Sequence, residues 1–546
     1  MTWFLGFEGA SYEAVRTNFE WDLPVDYNIA RDCVRKHDPD DDALFQAYPD
    51  GRHETFTFGD VDDWSDRLAN GLSALGLERG DRVAVALGQR PETVVSHLAC
   101  WKLGLVSVPL SVLFGESALR HRLRDSGARV AVCDTDLTDV FAAVDDACPD
   151  LERVFTVGDD RPESRYAPLK SVWRDEPAEF DLVPSGPDDT AVVVYTSGTT
   201  GSPNSVAHSQ GVWVSYCSAF RMYFEHVTAR PKRAVYWTPS DWAWIGGLGT
   251  VLFPAWHYGR PVVSRPMRSF EASTTYAVME LFDVTHASIP PTALRMLADA
   301  DTSPAEYDLS LDVLVSGSEP LTQDVVSWVD EAFESVVINE GYGQTETGNT
   351  VSNCHSWFEF RPGSMGKPVP GYEVAIVDGE TGEQLQPDTL GEIAVRRTDN
   401  PGVFDGYVGA ADEANDEWHL TGDMARRDES GYVWFVGRED DLIVTSGYRV
   451  APHDVEQALL GHDAVATAAV VGAPDTRRGE RIVAFVTLHD GWTASDSLRE
   501  GLRDQVREEL ARYAYPRTVT FLERLPTTRT GKTDTGRLRE RAQNEE

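Results

Sequence analysis

The sequence predicts an α/β protein in two parts: a large domain of mostly parallel sheet covered by helices, then a small α+β domain. Three observations carry this. From Asp81 onward, short apolar strands alternate with helical stretches. Near Gly366 the style changes to alternating, turn-bounded segments suited to a smaller antiparallel sheet. After Arg438-Glu439-Asp440-Asp441 it changes again, to a helix, two strands and an amphipathic helix over roughly 100 residues, an ordinary small-domain size.

Taken in order, residues 1–60 read as a polar opening segment with an acidic loop at Asp38-Pro39-Asp40-Asp41-Asp42. DRVAVALG, from Asp81, is a short apolar strand, and ETVVSHLACWKLGLVSVPL, from Glu92, is a helix running into another. GARVAVCD follows as a strand, and the rhythm recurs at RAVYWTP, RPVVSR, DVTHASIP and LDVLVSG. The near-apolar run from Trp242 to Trp256 is too short to cross a bilayer and reads as core. GYEVAIVD, GEIAVRR and GYVWFVGR form the antiparallel part. In the last part, VEQALLGHDAVATAAVVGAPD is a helix then a buried strand, and RIVAFVTLHD is a strand. SLREGLRDQVREELARYAYP is an amphipathic helix ended by Pro516.

Composition narrows the function. With 546 residues and 41% apolar content the chain builds several packed units and is no disordered tail. Its 89 acidic against 49 basic residues leave a net charge of −40, a field that repels nucleic-acid backbones and anionic membranes. Lysines are few: Lys36, Lys102, Lys170, Lys232, Lys367 and Lys532. Acid excess with scarce lysine resembles proteins of salt-loving, haloarchaeal cytoplasms, where salt screens self-repulsion. A merely acidic cytosolic protein would share the bias. The six cysteines have no metal-ligand spacing and read as buried or free thiols of a reducing compartment. The N-terminus has no basic region leading into an apolar stretch, so a cytoplasmic location is expected.

Five segments carry chemistry. In AVVVYTSGTTGSPNSVAHS an apolar strand ends at Tyr195 and opens into Thr196, Ser197, Gly198, Thr199, Thr200 and Gly201. Glycines let the backbone approach an anion, and successive N–H groups and hydroxyls can cradle phosphate. A plain surface loop can share that composition, and the string is no Walker A motif. In NEGYGQTETG, Tyr342 offers a flat face to a purine, Thr345 a hydroxyl and Glu346 a hard oxygen for Mg²⁺, although alone this is only a polar turn. In HLTGDMARRDESGYVWFVGREDD, Asp423 follows a tight glycine turn and can accept from two ribose hydroxyls, and Arg438 stands beside a candidate hinge. DLIVTSGYRVAPHDVE carries Ser446, Gly447 and Arg449. LPTTRTGKTDTGRLRE places Lys532 in a Gly/Thr-rich turn, where a lysine is ordinarily just solvated.

In this order and spacing the five segments resemble the adenylate-forming, AMP-binding enzymes, from about residue 30 to 540. Within them the chain is most similar to medium-chain acyl-CoA synthetases, through NIARDCV, SDWAWIGGLGTVLFPAW and YGQTETG. The resemblance implies a large domain, 1–439, of α/β sheets plus a distorted β-barrel, and a small mobile domain, 440–546, that turns about a hinge at Asp440. It implies that a carboxylic acid, ATP and CoA become acyl-CoA, AMP and pyrophosphate through an acyl-adenylate. By the same resemblance Thr196 to Gly201 hold the outer phosphates, with Thr200 also near the metal. Ser318, Glu319 and Pro320 line the adenine, on which Tyr342 stacks. Thr345 touches the α-phosphate and Glu346 binds Mg²⁺. Asp423 and Arg438 hold the ribose, and Arg449 reaches phosphate. Lys532 bridges carboxylate and α-phosphate, and rotation then presents Thr445 to Arg449, with Ser446 and Gly447, to CoA.

One departure stands out: the family loop continues Pro-Lys-Gly, and this chain has Pro203-Asn204-Ser205. An active enzyme with another cation in that place, a slow ligase and a non-catalytic nucleotide binder all fit. Acetate-specific relatives carry Trp where this chain has Gly343, so an acid larger than acetate is expected. Trp244, Ile245, Gly246, Gly247 and Gly343 would form the pocket wall, unless the glycines only permit close packing. Aromatic acids, acetate or propionate, and the loading of a carrier protein remain alternatives. Homo-oligomer formation is compatible with all of them.

Overall fold

The computed structural model describes residues 3–544 except 8, 10, 159–165, 197–202, 226–233, 410–416, 447, 476, 511–512 and 528–532. The chain divides into two compact units, Met1–Val374 with Val395–His419, and Ala375–Ala394 with Leu420–Glu546.

The first unit holds two large sheets. In the eight-stranded sheet, Thr190–Thr196 lies parallel to Val106–Pro109, which continues through Arg82–Ala86, Val130–Asp134 and Arg153–Val157. The antiparallel strand Asn204–Ser209 and the short strand Gly406–Tyr407 close one edge. The central strands are buried on both faces, which is why they read as unbroken Val/Ala runs rather than alternating ones. The nine-stranded sheet is parallel from Val337–Gln344 through Val313–Gly317, His286–Ser288, Tyr236–Trp237 and Val262–Ser264 to Asp42–Ala47. Gly348–Ser352 and His53–Thr57 flank that stretch as antiparallel strands. Helices Ala272–Leu281, Pro291–Ala298 and Gln323–Ala332 pack on this sheet through Tyr276, Leu294 and Val329.

The opening 60 residues are therefore not merely polar. Tyr27, Ile29, Cys33 and Leu44 are buried, and Asp42–Ala47 pairs in parallel with Val262–Ser264. The apolar stretches there are each too short, and too broken by the acidic loop, to show a period. Asp32 anchors this segment by accepting from Trp3 Nε1 at 2.6 Å, Tyr27 Oη at 3.0 Å and Lys36 Nζ at 2.6 Å. Lys102 is fully buried, and its ammonium is satisfied by Asp66 at 2.6 Å and by Asp62.

Val374–Val377, Gly391–Arg396, Trp418–Arg427 and Val433–Arg438 form a four-stranded sheet, most of whose residues belong to the second unit. A further sheet centres on the antiparallel pair Val465–Asp475 and Gly479–Leu488, covered by helices Pro452–Leu460 and Asp496–Glu509. The latter helix stops at Glu509, before the expected break at Pro516. Its buried stripe, Leu498, Leu502 and Val506, ends there, and packing rather than proline sets its length. No described helix is long and apolar enough to cross a membrane. All six cysteines are buried and none forms a disulfide among the described residues.

Candidate active site

The strand Thr190–Thr196 and the strand Asn204–Ser209 form an antiparallel hairpin in which Thr196 faces Asn204. The connecting residues Ser197, Gly198, Thr199, Thr200 and Gly201 lie outside the described residues. Asn204, the departure from the family pattern, is exposed at the mouth of that hairpin. Four residues along, His208 is buried, and its Nε2 lies 2.6 Å from the Thr345 carbonyl oxygen. Burial lowers this imidazole to about 4, so it stays neutral, and the proton sits on Nε2 to donate to that oxygen.

Val337–Gln344 and Gly348–Ser352 form a second hairpin, whose turn presents Thr345 and Glu346. Three elements brace that turn. His208 holds the Thr345 carbonyl, Phe404 N donates to the Glu346 carbonyl at 2.8 Å, and Tyr407 Oη donates to Glu346 Oε1 at 3.1 Å. The base of the hairpin is pinned by Glu225. Its carboxylate accepts from Asn339 Nδ2 at 2.8 Å, His355 N at 2.7 Å and Ser356 N at 2.9 Å, and also from the Ser356 hydroxyl. Glu340 is buried within the same strand and accepts from Leu321 N at 3.1 Å; burial raises its carboxyl to about 8. The parallel register, Ser316 with Glu340 and Gly317 with Gly341, brings Ser318 alongside Tyr342. Ser318 has φ 71°, so the chain turns sharply as it leaves the sheet. Glu319 is oriented by Thr292 Oγ1 at 2.8 Å and Arg295 Nη2 at 3.0 Å, and Pro320 follows it half-buried.

The five expected wall residues differ in what surrounds them. Trp244 sits edge-on to Phe114 at 6.0 Å, and Ile245 is buried. A Cβ on Gly246 would meet nothing within 4 Å, so this glycine borders open space. A Cβ on Gly247 would lie 2.5 Å from the Asp241 carbonyl oxygen, and one on Gly343 would lie 1.9 Å from that of Gly348. These two glycines serve close backbone packing, whatever else they border.

In the second unit, Asp423 and Arg438 face each other across paired strands and form an ion pair at 3.3 Å. Asp423 is buried and Arg438 is 39% exposed. Gly422, at φ 70°, makes the tight turn expected before Asp423, and a Cβ there would press on Arg438 Nη2 at 2.9 Å. Asp440 is exposed in the single turn Glu439–Asp441. Ile443–Thr445 and Tyr448–Val450 form a hairpin with Ser446 in its turn at φ 55°. Gly447 and Lys532 lie outside the described residues, and of Arg449 the backbone alone is described, opposite Val444. Nearby, the exposed rings of Tyr448 and Tyr513 stack at 4.1 Å. Arg507 and Arg517 pack on Tyr515 at 3.9 and 3.7 Å, and Arg503 Nη2 donates to the Arg517 carbonyl at 2.6 Å. Partial burial, and then the neighbouring charges of Arg478, Arg507 and Arg503, lower the Arg517 pKa. Arg503, Arg507 and Arg478 each also pair with a nearby carboxylate, Glu500, Asp504 and Asp475.

Sequence reasoning missed His208, Glu225 and Tyr407. His208 stood inside a quoted segment, but neither Glu225 nor Tyr407 carries a local signal, since each acts on residues far along the chain.

The AMP-binding enzyme family matches residues 31–408, and the AMP-binding enzyme C-terminal domain matches residues 454–532. An acetyl-coenzyme A synthetase of Bacillus subtilis (strain 168) is 34% identical over 494 residues, 88% of this chain and 84% of that protein. A mitochondrial acyl-coenzyme A synthetase of Mus musculus, ACSM3, is 32% identical over 97% of this chain and 93% of its own length. Among solved structures, an anthranilate CoA ligase in complex with anthranoyl-AMP matches with a TM-score of 0.85 at 28% identity, covering 95% of this chain and 98% of that one. A Brucella canis acyl-CoA synthetase matches with a TM-score of 0.74 at 32% identity, covering 95% of each chain.

Proposed function

This chain belongs to the AMP-binding enzyme family and has the adenylate-forming fold, and from that premise we propose that it is an AMP-forming acyl-CoA synthetase for acids larger than acetate. Its substrates are a carboxylic acid, ATP and CoA, with Mg²⁺ as the metal. The observation that carries the reading is the Thr345–Glu346 turn, fixed by three separate hydrogen bonds from His208, Phe404 and Tyr407. A surface turn needs no such bracing; a group that must meet a phosphate in one position does.

Attack of the acid on the α-phosphate calls for charge stabilisation more than covalent help. Glu346 fits Mg²⁺ as a hard carboxylate donor. When bound, Mg²⁺ spreads the charge of the phosphate chain. Thr345 turns its hydroxyl to the α-phosphate, Tyr342 stacks on the adenine beside Ser318, Glu319 and Pro320, and Asp423 with Arg438 takes the ribose hydroxyls. Thr196 to Gly201 cradle the outer phosphates, Arg449 reaches phosphate, and Lys532 neutralises the attacking carboxylate and the α-phosphate. The segment 440–546 turns about Asp440 between the two half-reactions, and the face of Ser446, Gly447 and Tyr448 then meets CoA, with the arginines around Tyr515 taking its nucleotide end. Gly246, bordering open space, leaves room for a short- or medium-chain acyl group, each buried methylene adding about 0.8 kcal/mol.

The test is pyrophosphate release from ATP and Mg²⁺ in concentrated KCl, with CoA and a panel of acids from acetate to octanoate, benzoate included. Release that needs both an acid and CoA supports the reading, and the best acid sizes the pocket. Release with acid alone points to a carrier-loading enzyme. Silence across the panel with ATP still bound overturns the reading and leaves a nucleotide binder, the outcome that Asn204 raises.

A further inference from the structure

Arg122 lies in the helix Glu116–Ser126 and is 6% exposed, yet it has no carboxylate partner among the described residues. Its Nη1 donates to the Ala118 carbonyl at 2.9 Å, and its Nε is buried with no hydrogen-bond partner among the described residues. The neighbouring His121 has a buried Nε2 in the same condition. Asp125 does not answer this charge; its carboxylate accepts the Tyr195 hydroxyl at 2.8 Å. A buried guanidinium without a counter-charge is costly unless an anion completes it.

Its position says which anion. The guanidinium lies over the Phe114 ring at 4.0 Å and near the Tyr195 ring at 5.4 Å. Tyr195 precedes Thr196, the last residue of its strand, and Phe114 lies just beyond the carboxyl end of the parallel strand Val106–Pro109. In open α/β sheets ligands bind at the carboxyl ends of the strands. Phe114 in turn packs against Trp244 of the expected acyl wall. The cation therefore stands between the strand end expected to bear phosphate and Trp244 of the expected acyl wall. A guanidinium fork suits phosphate oxygens, whereas the far end of a fatty acid offers no charge.

We propose that Arg122 is an anion-binding residue of the nucleotide site, taking an oxygen of the β- or γ-phosphate of ATP and holding the pyrophosphate as it leaves. This rests on the ATP-dependent reading above. The Phe114 ring fixes the plane of the guanidinium, and its unpartnered Nε–H and the Nε2 of His121 are the groups that the phosphates complete.

Calorimetric titration separates the possibilities. ATP, inorganic pyrophosphate and AMP are each titrated into the wild-type protein, Arg122→Met and Arg122→Lys. Methionine keeps the apolar contact with Phe114 and removes the charge. Arg122→Met is expected to bind ATP and pyrophosphate about 10- to 100-fold more weakly and AMP as the wild type does, because AMP lacks the outer phosphates. Arg122→Lys is expected to recover part of the loss. In turnover, KM for ATP rises while KM for the acid stays. Undiminished pyrophosphate binding by Arg122→Met overturns the proposal, and so does an equal loss of AMP binding, which marks a structural role. If Arg122→Met does not fold, Arg122→Lys decides alone, with unchanged pyrophosphate affinity as the overturning result. A wild-type protein that binds neither ATP nor AMP overturns the functional reading together with this one.

Discussion

Tyr407 donates its hydroxyl to the Glu346 carboxylate at 3.1 Å, joining side chains 61 residues apart in sequence. The same tyrosine packs edge-on against Phe404, whose backbone N–H holds the Glu346 carbonyl. A carboxylate gripped in this way has one orientation, as a metal ligand supported from behind does. Tyr407→Phe keeps the ring and removes the donor. The Mg²⁺ concentration for half-maximal pyrophosphate release is expected to rise about 3- to 10-fold, with KM for the acid unchanged. Glu346→Gln is expected to lower the rate by about 10²–10³. A magnesium titration of both variants checks this, and an unchanged midpoint for Tyr407→Phe would sink the orienting role.

Glu225 holds both ends of the 339–356 hairpin segment with one buried carboxylate. Glu225→Gln keeps the shape but turns one of the two acceptor oxygens into a donor, which then faces either the His355 N–H or the Ser356 N–H. Expected are a stability loss of about 2–3 kcal/mol and weaker ATP binding, read from urea midpoints and nucleotide titration. Stability lost with nucleotide affinity intact would show that the brace serves the fold alone.

His97 stacks on Trp101 at 5.7 Å inside the helix Pro91–Leu103, and neither ring nitrogen has a hydrogen-bond partner among the described residues. Burial lowers its pKa from 6.5 to about 3. Because the folded value lies below the unfolded one, its contribution to stability is complete above about pH 6.5 and is lost as pH falls toward 3. Glu340 has the opposite sign: raised to about 8, it costs stability as pH climbs from about 4.5 toward 8. His97→Leu is expected to stabilise the neutral protein by about 1–2 kcal/mol and to flatten the decline below pH 6.5. Urea midpoints at pH 7 and pH 5 are the measurement, and a parallel decline in both proteins would refute the assignment.

Gly246 and Gly343 separate two explanations for small residues near the proposed acyl wall. Gly246→Leu projects into open space and is expected to fold normally while shifting preference toward shorter acids by about tenfold per two methylenes excluded. Gly343→Trp would drive its Cβ into the Gly348 carbonyl and is expected to destabilise the hairpin. Relative kcat/KM across the acid panel and thermal melts distinguish the two. A well-folded Gly343→Trp that uses only acetate would mean that the backbone relaxes and that the residue gates size.

Much of the fold was legible because buried parallel strands announce themselves as unbroken apolar runs, as at Val83–Ala86, Val130–Cys133 and Ala191–Tyr195. Asp42–Ala47 escaped because its burial alternates weakly and an acidic loop precedes it, so its pairing with His53–Thr57 and Val262–Ser264 makes it a strand. The helix expected to run to Pro516 stops at Glu509, where its apolar stripe gives out. Of the candidate site, the contiguous motifs were legible because glycine, hydroxyl and carboxylate chemistry is local. What braces them was not: His208 acts on a residue 137 positions away and Glu225 on one 114 away, and such pairings exist only once two sheets have been assembled.

Six cysteines, all buried, leave the exterior without a thiol. A maleimide dye would therefore find nothing native to label while the protein stays folded. One cysteine introduced on an exposed position of each compact unit would give a clean pair of attachment points. Energy transfer between two dyes could then follow the turn proposed at Asp440 as ATP, acid and CoA are added in sequence. The interior placement of its thiols makes this protein a ready subject for watching its own catalytic cycle one molecule at a time.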